Sequence, residues 1–338
     1  MNRRDLIVLL IVAVALAGTA GWIMTFTRPV AVEDLSLIEA WHSVYYTPQY
    51  VALHKNFFIE QGLNVHLQVA SSDAAAAEAL ASGTAEIALC SMEQALLAAQ
   101  QPGDQAPIAF ALLCQRDGTF LFTRQTSSTE VDWNLLRNKA VIAGPEGDAA
   151  NLTLESILRQ QGIQPGPDVK LLYSYPRPTA GKAFADGTAS FAQLYEPSVS
   201  QLEQAKVGGV LTPLAPWTRK VPLAAFHSRA EMVRDRPETL QKFTNAICQA
   251  LRWIDQHAAS EIATTIAPSF PDVDLALLTD SIERYMQLDV WGSDPSLNPR
   301  LVDDLQDLMI QTGRIERAIE SELLFTTAFT SRAVATRE

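Results

Sequence analysis

The sequence predicts an α/β protein built as two lobes with a ligand cleft between them. Segment 79–88 aligns with segment 183–192 at a constant offset of 104 residues, and six of the ten positions are identical. Strand-like and helix-like segments also alternate from residue 34 onward, which favours mixed, mostly parallel sheets flanked by helices. Two similar α/β units imply two lobes, and small ligands commonly bind in clefts between domains.

The same offset pairs individual positions of the two units. Val65 falls on Val169, while Gly62 falls on Gly162 at an offset of 100, so a short insertion at 164–167 separates the copies. Since 91 and 195 also differ by 104, Ser91 and Tyr195 are predicted to occupy equivalent strand ends. We expect them to face one another across the cleft.

The first unit reads as alternating strands and helices. Ser72 and Asp73 are typical of a helix start, and Gly62 and Gly83 are typical of helix ends. The predicted strands are 35–40, 65–70 and 86–90, and the predicted helices are 48–61, 73–83 and 91–100.

The second unit repeats this order after two apolar runs that flank Asp117-Gly118, where the chain is predicted to cross between lobes. The C-terminal part, from about Arg229, is mainly helical. Weak periodicity beyond Thr326 predicts a disordered tail over 326–338. The predicted strands are 140–143, 169–173, 190–194, 210–214 and 223–226, and the predicted helices are 149–161 and the segment ending at Gly187.

Composition narrows the function classes. The 338 residues include 26 Lys and Arg against 38 Asp and Glu, a net charge of −12, which disfavours nucleic acid as a partner. Cys90, Cys114 and Cys248 are isolated in apolar settings and are expected to be buried free thiols, one disulfide being the alternative. Because neither metal-ligand spacing nor a nucleophile or phosphate motif occurs, we predict no metal, no cofactor and no catalytic residue.

The N-terminus carries a separate signal. Arg3 and Arg4 precede an uncharged stretch at 6–27, which is long enough to span a bilayer. Two interpretations of residues 1–28 remain open, a cleaved signal peptide and a retained anchor in the inner membrane. Both place the remainder in the periplasm or another extracytoplasmic space.

Candidate site residues follow from the rule that ligands gather at the carboxyl ends of strands in open α/β sheets. The selected set is rich in rings and hydroxyls and holds carboxylates, which favours a neutral or amine-bearing ligand. Asp73 and Asp148 also have a simpler explanation as helix caps. The predicted ligand-binding residues are Trp41, Tyr45, Tyr46, Ser71, Ser91, Asp148, Tyr195 and Glu196.

Several segments spread over about 35–290 carry recognisable motifs in a fixed order. They are Pro48-x-Tyr50-Val-Ala52, Phe57-Phe58-x-x-Gln61-Gly62-Leu63, Ala79-Leu80-x-x-Gly83-x-Ala85, Tyr195-Glu196-Pro197 and Arg236-Pro237-Glu238. Together they resemble solute-binding proteins of ABC importers for nitrate, sulfonate, taurine and thiamine pyrimidines, the SsuA/THI5-like or NMT1-type class. One segment departs from that pattern, since His42-Ser43-Val44 replaces the Thr-Pro-Asn typical of pyrimidine binders.

The resemblance implies a two-lobed periplasmic-binding fold of type II. Its lobes would be 34–120 together with 215–320, and 121–214. It also implies a monomer that binds a small organic solute by hinge closure, such as an aromatic heterocycle or a sulfonate. The partners it implies are an ABC permease and its ATPase subunit.

Two other functions stay open at this point. A retained N-terminal helix would suit a membrane-anchored, extracytoplasmic ligand-sensing domain. A synthase of the thiamine pyrimidine shares the fold, but such enzymes need a cysteine-rich motif, and the three cysteines here are dispersed.

Overall fold

The computed structural model describes residues 32–101, 106–124, 131–147 and 149–335. Asp34–Glu338 form one compact unit. Within it, the described strands form two five-stranded sheets with helices packed on them. The predicted two-lobed α/β architecture is therefore confirmed.

The strands are short and mostly buried. They are β1 (Glu33–Glu39), β2 (Leu63–Val69), β3 (Ile87–Cys90), β4 (Ile108–Cys114), β5 (Thr119–Thr123), β6 (Ala140–Ile142), β7 (Lys170–Leu172), β8 (Phe191–Tyr195), β9 (Gly209–Pro213) and β10 (Ala224–Ser228).

Helices follow most of the strands and fill the C-terminal part. They are α1 (Thr47–His54), α2 (Phe57–Glu60), α3 (Asp73–Ala81), α4 (Met92–Ala99), α5 (Ala149–Gln160), α6 (Arg177–Ala185), α7 (Ser198–Gln204), α8 (Ala230–Asp235), α9 (Pro237–Asp255), α10 (Ala259–Ile266), α11 (Leu275–Gln287), α12 (Pro299–Gln311) and α13 (Ala328–Ala335).

Both sheets have the same plan. The first has the order β2-β1-β3-β10-β4 and the second the order β7-β6-β8-β5-β9. In the first, β3 is parallel to β1 and antiparallel to β10. In the second, β8 is parallel to β6 and antiparallel to β5. β3 and β8 are therefore equivalent central strands.

The offset of 104 residues reappears in the element bounds. Helix α3 starts at Asp73 and ends at Ala81, and α6 starts at Arg177 and ends at Ala185, so both ends differ by 104. The first residues of β3 and β8, Ile87 and Phe191, differ by the same number. The two sheets therefore carry the internal repeat in their geometry.

The chain passes between the sheets twice, through residues 115–118 after β4 and through 214–223 after β9. Gly118 lies in the first crossing, where a Cβ atom would come within 2.5 Å of the Tyr45 ring and 3.2 Å of the Tyr285 ring. A Cβ atom at that separation would force the Tyr45 ring or the backbone to shift, so this crossing favours glycine.

An aromatic core fixes the first sheet against the C-terminal helices. The ring of Phe243 on α9 lies 4.8 Å from Phe226 of β10 and 4.9 Å from Phe58 of α2, centroid to centroid. These rings are fully or almost fully buried. Burial of side chains of this size contributes roughly 2–3 kcal/mol each, so α9 is tightly anchored to the sheet.

Two predictions about helices are wrong. The helix predicted over 48–61 is interrupted at Asn56, whose backbone has a φ of 61°, a left-handed conformation that asparagine tolerates. The predicted disorder after Thr326 gives way to helix α13. Phe329 of that helix is buried with its centroid 6.2 Å from Phe110, and Arg252 donates to the Ala333 carbonyl at 2.8 Å. Tertiary contacts, which periodicity does not register, hold this helix in place.

The N-terminal predictions concern residues 1–28, which lie outside the described residues. Among the residues that are described, no helix is both long and apolar enough to cross a membrane.

Candidate functional site

A cavity of about 680 Å³ lies at the carboxyl ends of the parallel strands of both sheets. The loops after β1 and β2 and helix α4 contribute to it from the first sheet. The loops after β6, β7 and β8 contribute from the second. Its lining residues include Trp41, Ser71, Asp73, Gln94, Gly144, Glu146, Arg177, Gln193, Tyr195, Glu196 and Phe270.

Aromatic rings from both lobes meet at one end of this cavity. Trp41, which follows β1, has its ring centroid 4.6 Å from that of Tyr195, the last residue of β8. Tyr46 lies 5.4 Å from Trp41, and Tyr45 lies 5.5 Å from Tyr195. The rings are tilted, an arrangement that aromatic quadrupoles favour. Four of the predicted residues are therefore brought together.

Arg177 inserts its guanidinium into this aromatic group. Its central carbon lies 4.0 Å from the centroid of Trp41 and 5.5 Å from that of Tyr195. Its Nη2 lies 3.5 Å from Oδ2 of Asp73. Arg177 begins α6 in the second lobe, whereas Trp41 and Asp73 follow strands of the first. We refer to Trp41, Asp73, Arg177 and Tyr195 as the cross-cleft cluster.

Asp73 has more than a capping role. The N-cap of α3 is Ser72, whose hydroxyl accepts from the Ala75 amide. The Asp73 carboxylate, 9% exposed, accepts a hydrogen bond of 2.6 Å from the Ser91 amide and pairs with Arg177. One carboxylate thus connects the end of β3, the start of α3 and the opposite lobe.

Ser91 follows β3 as Tyr195 ends β8, but the two side chains differ in direction. The Ser91 hydroxyl is the N-cap of α4 and accepts from the Glu93 amide at 3.1 Å. Ser91 is 2% exposed and is not among the described residues that line the cavity. Ser91 is connected to the cleft by the hydrogen bond that its backbone amide donates to Asp73.

Tyr45 and Tyr46 are buried behind the cavity. The Tyr45 hydroxyl donates to the Arg116 carbonyl at 2.7 Å, so Tyr45 secures the first crossing segment. Burial raises the pKa of both phenols well above the usual value, so each is a neutral hydroxyl. Both line a narrow recess together with Trp41, Asp73 and Arg177.

Glu196 lines the cavity, but its carboxylate is engaged by the protein. Oε1 accepts from Nη1 of Arg284 at 3.1 Å, and Oε2 accepts from the Ser200 amide and the Ser281 hydroxyl. Burial raises the pKa of Glu196, and the nearby Arg284 opposes that effect. Because Ser281 and Arg284 belong to α11, Glu196 joins the end of β8 to the C-terminal helices.

Two predicted residues remain, Ser71 and Asp148. Ser71 lines the cavity. Asp148 lies outside the described residues. Arg177 lies five residues after Leu172, the last residue of β7, where the strand-end rule places it near the cleft, but it is not among the predicted ligand-binding residues. Its equivalence to Asp73 at the offset of 104 is a second sequence signal for it.

The described residues contain no group of His, Cys, Asp and Glu side chains arranged to hold a metal ion. All three cysteines are free and buried. The thiol of Cys90 lies beside an imidazole, with Sγ 3.6 Å from Nδ1 of His227. Burial raises the pKa of the Cys90 thiol well above its usual value and lowers that of His227 to about 4. Both groups are therefore neutral and enclosed.

The sequence matches known proteins along most of its length. Residues 41–267 match the model of the NMT1-like family. A Bacillus subtilis (strain 168) protein, YtlA, whose name describes it as a binding protein, is 31% identical over 285 residues, covering 84% of this chain and 85% of YtlA.

Solved structures share the fold. The ligand-binding component of an ABC-type import system from Staphylococcus aureus has a TM-score of 0.73 at 14% identity, covering 89% of this chain and 99% of that one. The alkanesulfonate-binding protein SsuA from Xanthomonas axonopodis pv. citri has a TM-score of 0.67 at 15% identity, covering 90% and 99%. The fold also occurs in the desulfurization enzyme DSZB, with a TM-score of 0.63 at 14% identity, covering 90% and 100%.

The family match and the relationship to YtlA rest on sequence, and the two sheets with a cavity at their strand ends agree with both. This chain belongs to the NMT1-like family.

Proposed function

We propose that this protein is the substrate-binding component of an ABC-type importer and binds a small organic solute between its two lobes. The observation that carries the proposal is the cavity of about 680 Å³ lined from both sheets, with Trp41 of the first lobe and Tyr195 of the second in contact at one end. Its volume lies in the range of small-molecule sites, and paired rings suit a flat apolar group. Membership of the NMT1-like family supports it.

Binding would proceed by hinge closure. Residues 115–118 and 214–223 connect the sheets and are the natural hinge. Opening would separate Trp41 and Asp73 from Arg177 and Tyr195, and closing on a solute would bring both walls against it. A domain organisation of 34–120 with 215–320, and of 121–214, suits this motion.

Two solute classes fit parts of the site. An aromatic heterocycle, such as a thiamine pyrimidine precursor, suits the rings of Trp41 and Tyr195. A sulfonate is suggested by the similarity to the Xanthomonas protein, and Arg177 would be its cation. The acidic lining residues Asp73, Glu146 and Glu196 oppose an anion, so the heterocycle is favoured.

Delivery of the solute requires an ABC permease with its ATPase and a location outside the cytoplasmic membrane. The segment at 6–27 supplies the export signal in this proposal, either cleaved or kept as an anchor. Mass spectrometry of the mature N-terminus distinguishes the two. A chain recovered with an intact Met1 in the cytoplasm contradicts the proposed location.

We propose further that the protein carries out no reaction on its solute. The Cys90–His227 pair is neutral, since burial suppresses both the thiolate and the imidazolium, and a thiolate is the reactive form of cysteine. Recovery of every bound solute unchanged after prolonged incubation is the expected result. A chemically altered solute would show an enzyme.

The experiment that tests the function is thermal unfolding of the protein, as the cell produces it, against a panel of heterocycles, amines and sulfonates. A solute at 100 times its Kd stabilises the folded state by about 2.7 kcal/mol, which raises the Tm by roughly 5 °C. We expect at least one class to do so. No shift with any class at millimolar concentration contradicts the proposal.

A further inference from the structure

The position of Arg177 indicates which chemical group the cleft recognises. Its guanidinium is a flat, delocalised cation, stacked 4.0 Å from the Trp41 centroid and 3.5 Å from the Asp73 carboxylate. Stacking on tryptophan and pairing with a carboxylate are the two contacts that such cations favour. A planar cation such as this guanidinium therefore fits this part of the cavity.

These contacts exist only while the lobes are together. Arg177 begins α6, beside the second sheet, while Trp41 and Asp73 follow β1 and β2 of the first. Opening the cleft removes the guanidinium from the tryptophan and from the carboxylate at once. A solute that enters the open cleft then meets Trp41 and Asp73 without competition from Arg177.

The charge of the lining favours a cation at that position. Three described carboxylates line the cavity, those of Asp73, Glu146 and Glu196. Glu196 has its charge offset by Arg284, which lies outside the cavity. When Arg177 leaves with its lobe, the Asp73 carboxylate loses that cation, and a cationic solute would supply positive charge in its place.

We propose that the solute carries a planar delocalised cation, such as an amidinium or a protonated aminoheterocycle, which takes the place of the Arg177 guanidinium against the Trp41 ring and pairs with Asp73. This inference rests on the proposed binding function and specifies its substrate class. Arg177 then acts as an internal competitor that occupies the site while it is empty.

The test uses three probes of similar size that differ in charge: benzamidine as the planar cation, benzamide as its neutral counterpart and benzenesulfonate as the anion. Calorimetric titration of the wild-type protein is expected to give at least tenfold tighter binding of benzamidine than of the other two. Equal binding of benzamidine and benzamide, or tighter binding of benzenesulfonate, would overturn the inference and leave the binding function intact. Failure of all three probes and of the wider panel would overturn both.

The Arg177→Gln variant distinguishes two roles for Arg177, an internal competitor and a cation that binds the solute, because each role predicts a different change in affinity. If Arg177 is a competitor, its removal tightens benzamidine binding about threefold or more. If Arg177 is a solute-binding cation, the variant loses benzenesulfonate binding and benzamidine gains nothing. Arg124→Gln is the matched control, because Arg124 stacks on Phe184 at 4.8 Å outside the cavity. It is expected to change neither affinity, and an equal gain in that variant would contradict the proposal.

Discussion

Asp73 and Arg177 form an ion pair that joins the two lobes, with Oδ2 and Nη2 3.5 Å apart. They are also equivalent residues of the internal repeat, since each begins the helix that follows the second strand of its unit, and 73 and 177 differ by 104. A duplicated helix start has thus diverged into opposite charges that meet across the cleft.

Removing this charge pair is expected to favour the open form of the empty protein. Asp73→Asn keeps an oxygen that can accept from the Ser91 amide but loses the attraction to Arg177, at a cost of about 1 kcal/mol. Small-angle X-ray scattering should show a larger radius of gyration. Lys182→Gln removes an exposed ion pair between Lys182 of α6 and Asp186, the residue after that helix, and serves as the control. An unchanged radius for Asp73→Asn, or the same change in both variants, would show that the pair does not hold the lobes together.

A side chain at the first crossing is expected to be costly. In Gly118→Ala the new methyl group would lie 2.5 Å from the Tyr45 ring, so the ring or the backbone must shift, at about 1–3 kcal/mol. Gly181→Ala is the control, because its Cβ meets nothing closer than 3.4 Å and alanine favours the helix by up to about 1 kcal/mol. Urea unfolding should therefore show a lower free energy of unfolding for Gly118→Ala and a higher one for Gly181→Ala. Equal stability of the two variants would contradict the close contact.

Replacing Arg284 of α11 is expected to destabilise the protein, because the charge of the buried Glu196 is then unbalanced. Arg284→Gln leaves the buried Glu196 carboxylate without its cation and should cost about 2–3 kcal/mol, less than for a fully buried pair because Arg284 is partly exposed. Adding Glu196→Gln removes the unpaired charge, so the double variant should be more stable than Arg284→Gln alone. Chemical denaturation of the three proteins tests this, and a double variant less stable than Arg284→Gln would refute it.

His227 is expected to make folding sensitive to mild acid. Burial lowers its pKa from 6.5 to about 4, so between those values the unfolded chain is protonated and the folded protein is not. Stability is lost as the pH falls through that window, by up to about 3 kcal/mol from this residue. Unfolding free energies of wild type and His227→Asn at pH 7 and pH 4.5 measure it. The variant should show a smaller loss than wild type, and an equal loss in the two proteins would contradict the role of His227.

The repeat explains why the fold could be predicted well. Alternating apolar segments gave the strands, and the duplicated Gly-Thr-Ala at 83–85 and 187–189 aligned β3 with β8. Helix α13 was missed because its packing depends on Phe110, more than 200 residues away in sequence. No local pattern records such a contact.

The site was predicted less completely, because position at a strand end does not determine the direction of a side chain. Tyr195 lines the cavity, whereas Ser91, at the equivalent strand end, turns inward to cap α4. The strand-end rule places Arg177 near the cleft but does not give its partners, which are Trp41 and Asp73 of the other lobe. Contacts that form only between lobes are invisible to a pattern within one lobe.

The most direct test of a solute site in the cavity lined by Trp41 and Tyr195 is calorimetric titration of wild type and Trp41→Leu with the heterocycle, amine and sulfonate panel. Trp253→Leu is the control, since Trp253 stacks on His257 at 3.9 Å and does not line the cavity. The expected result is one-to-one binding of at least one solute, weakened about tenfold or more by Trp41→Leu and unchanged by Trp253→Leu. A solute that binds Trp41→Leu as tightly as wild type would contradict the site.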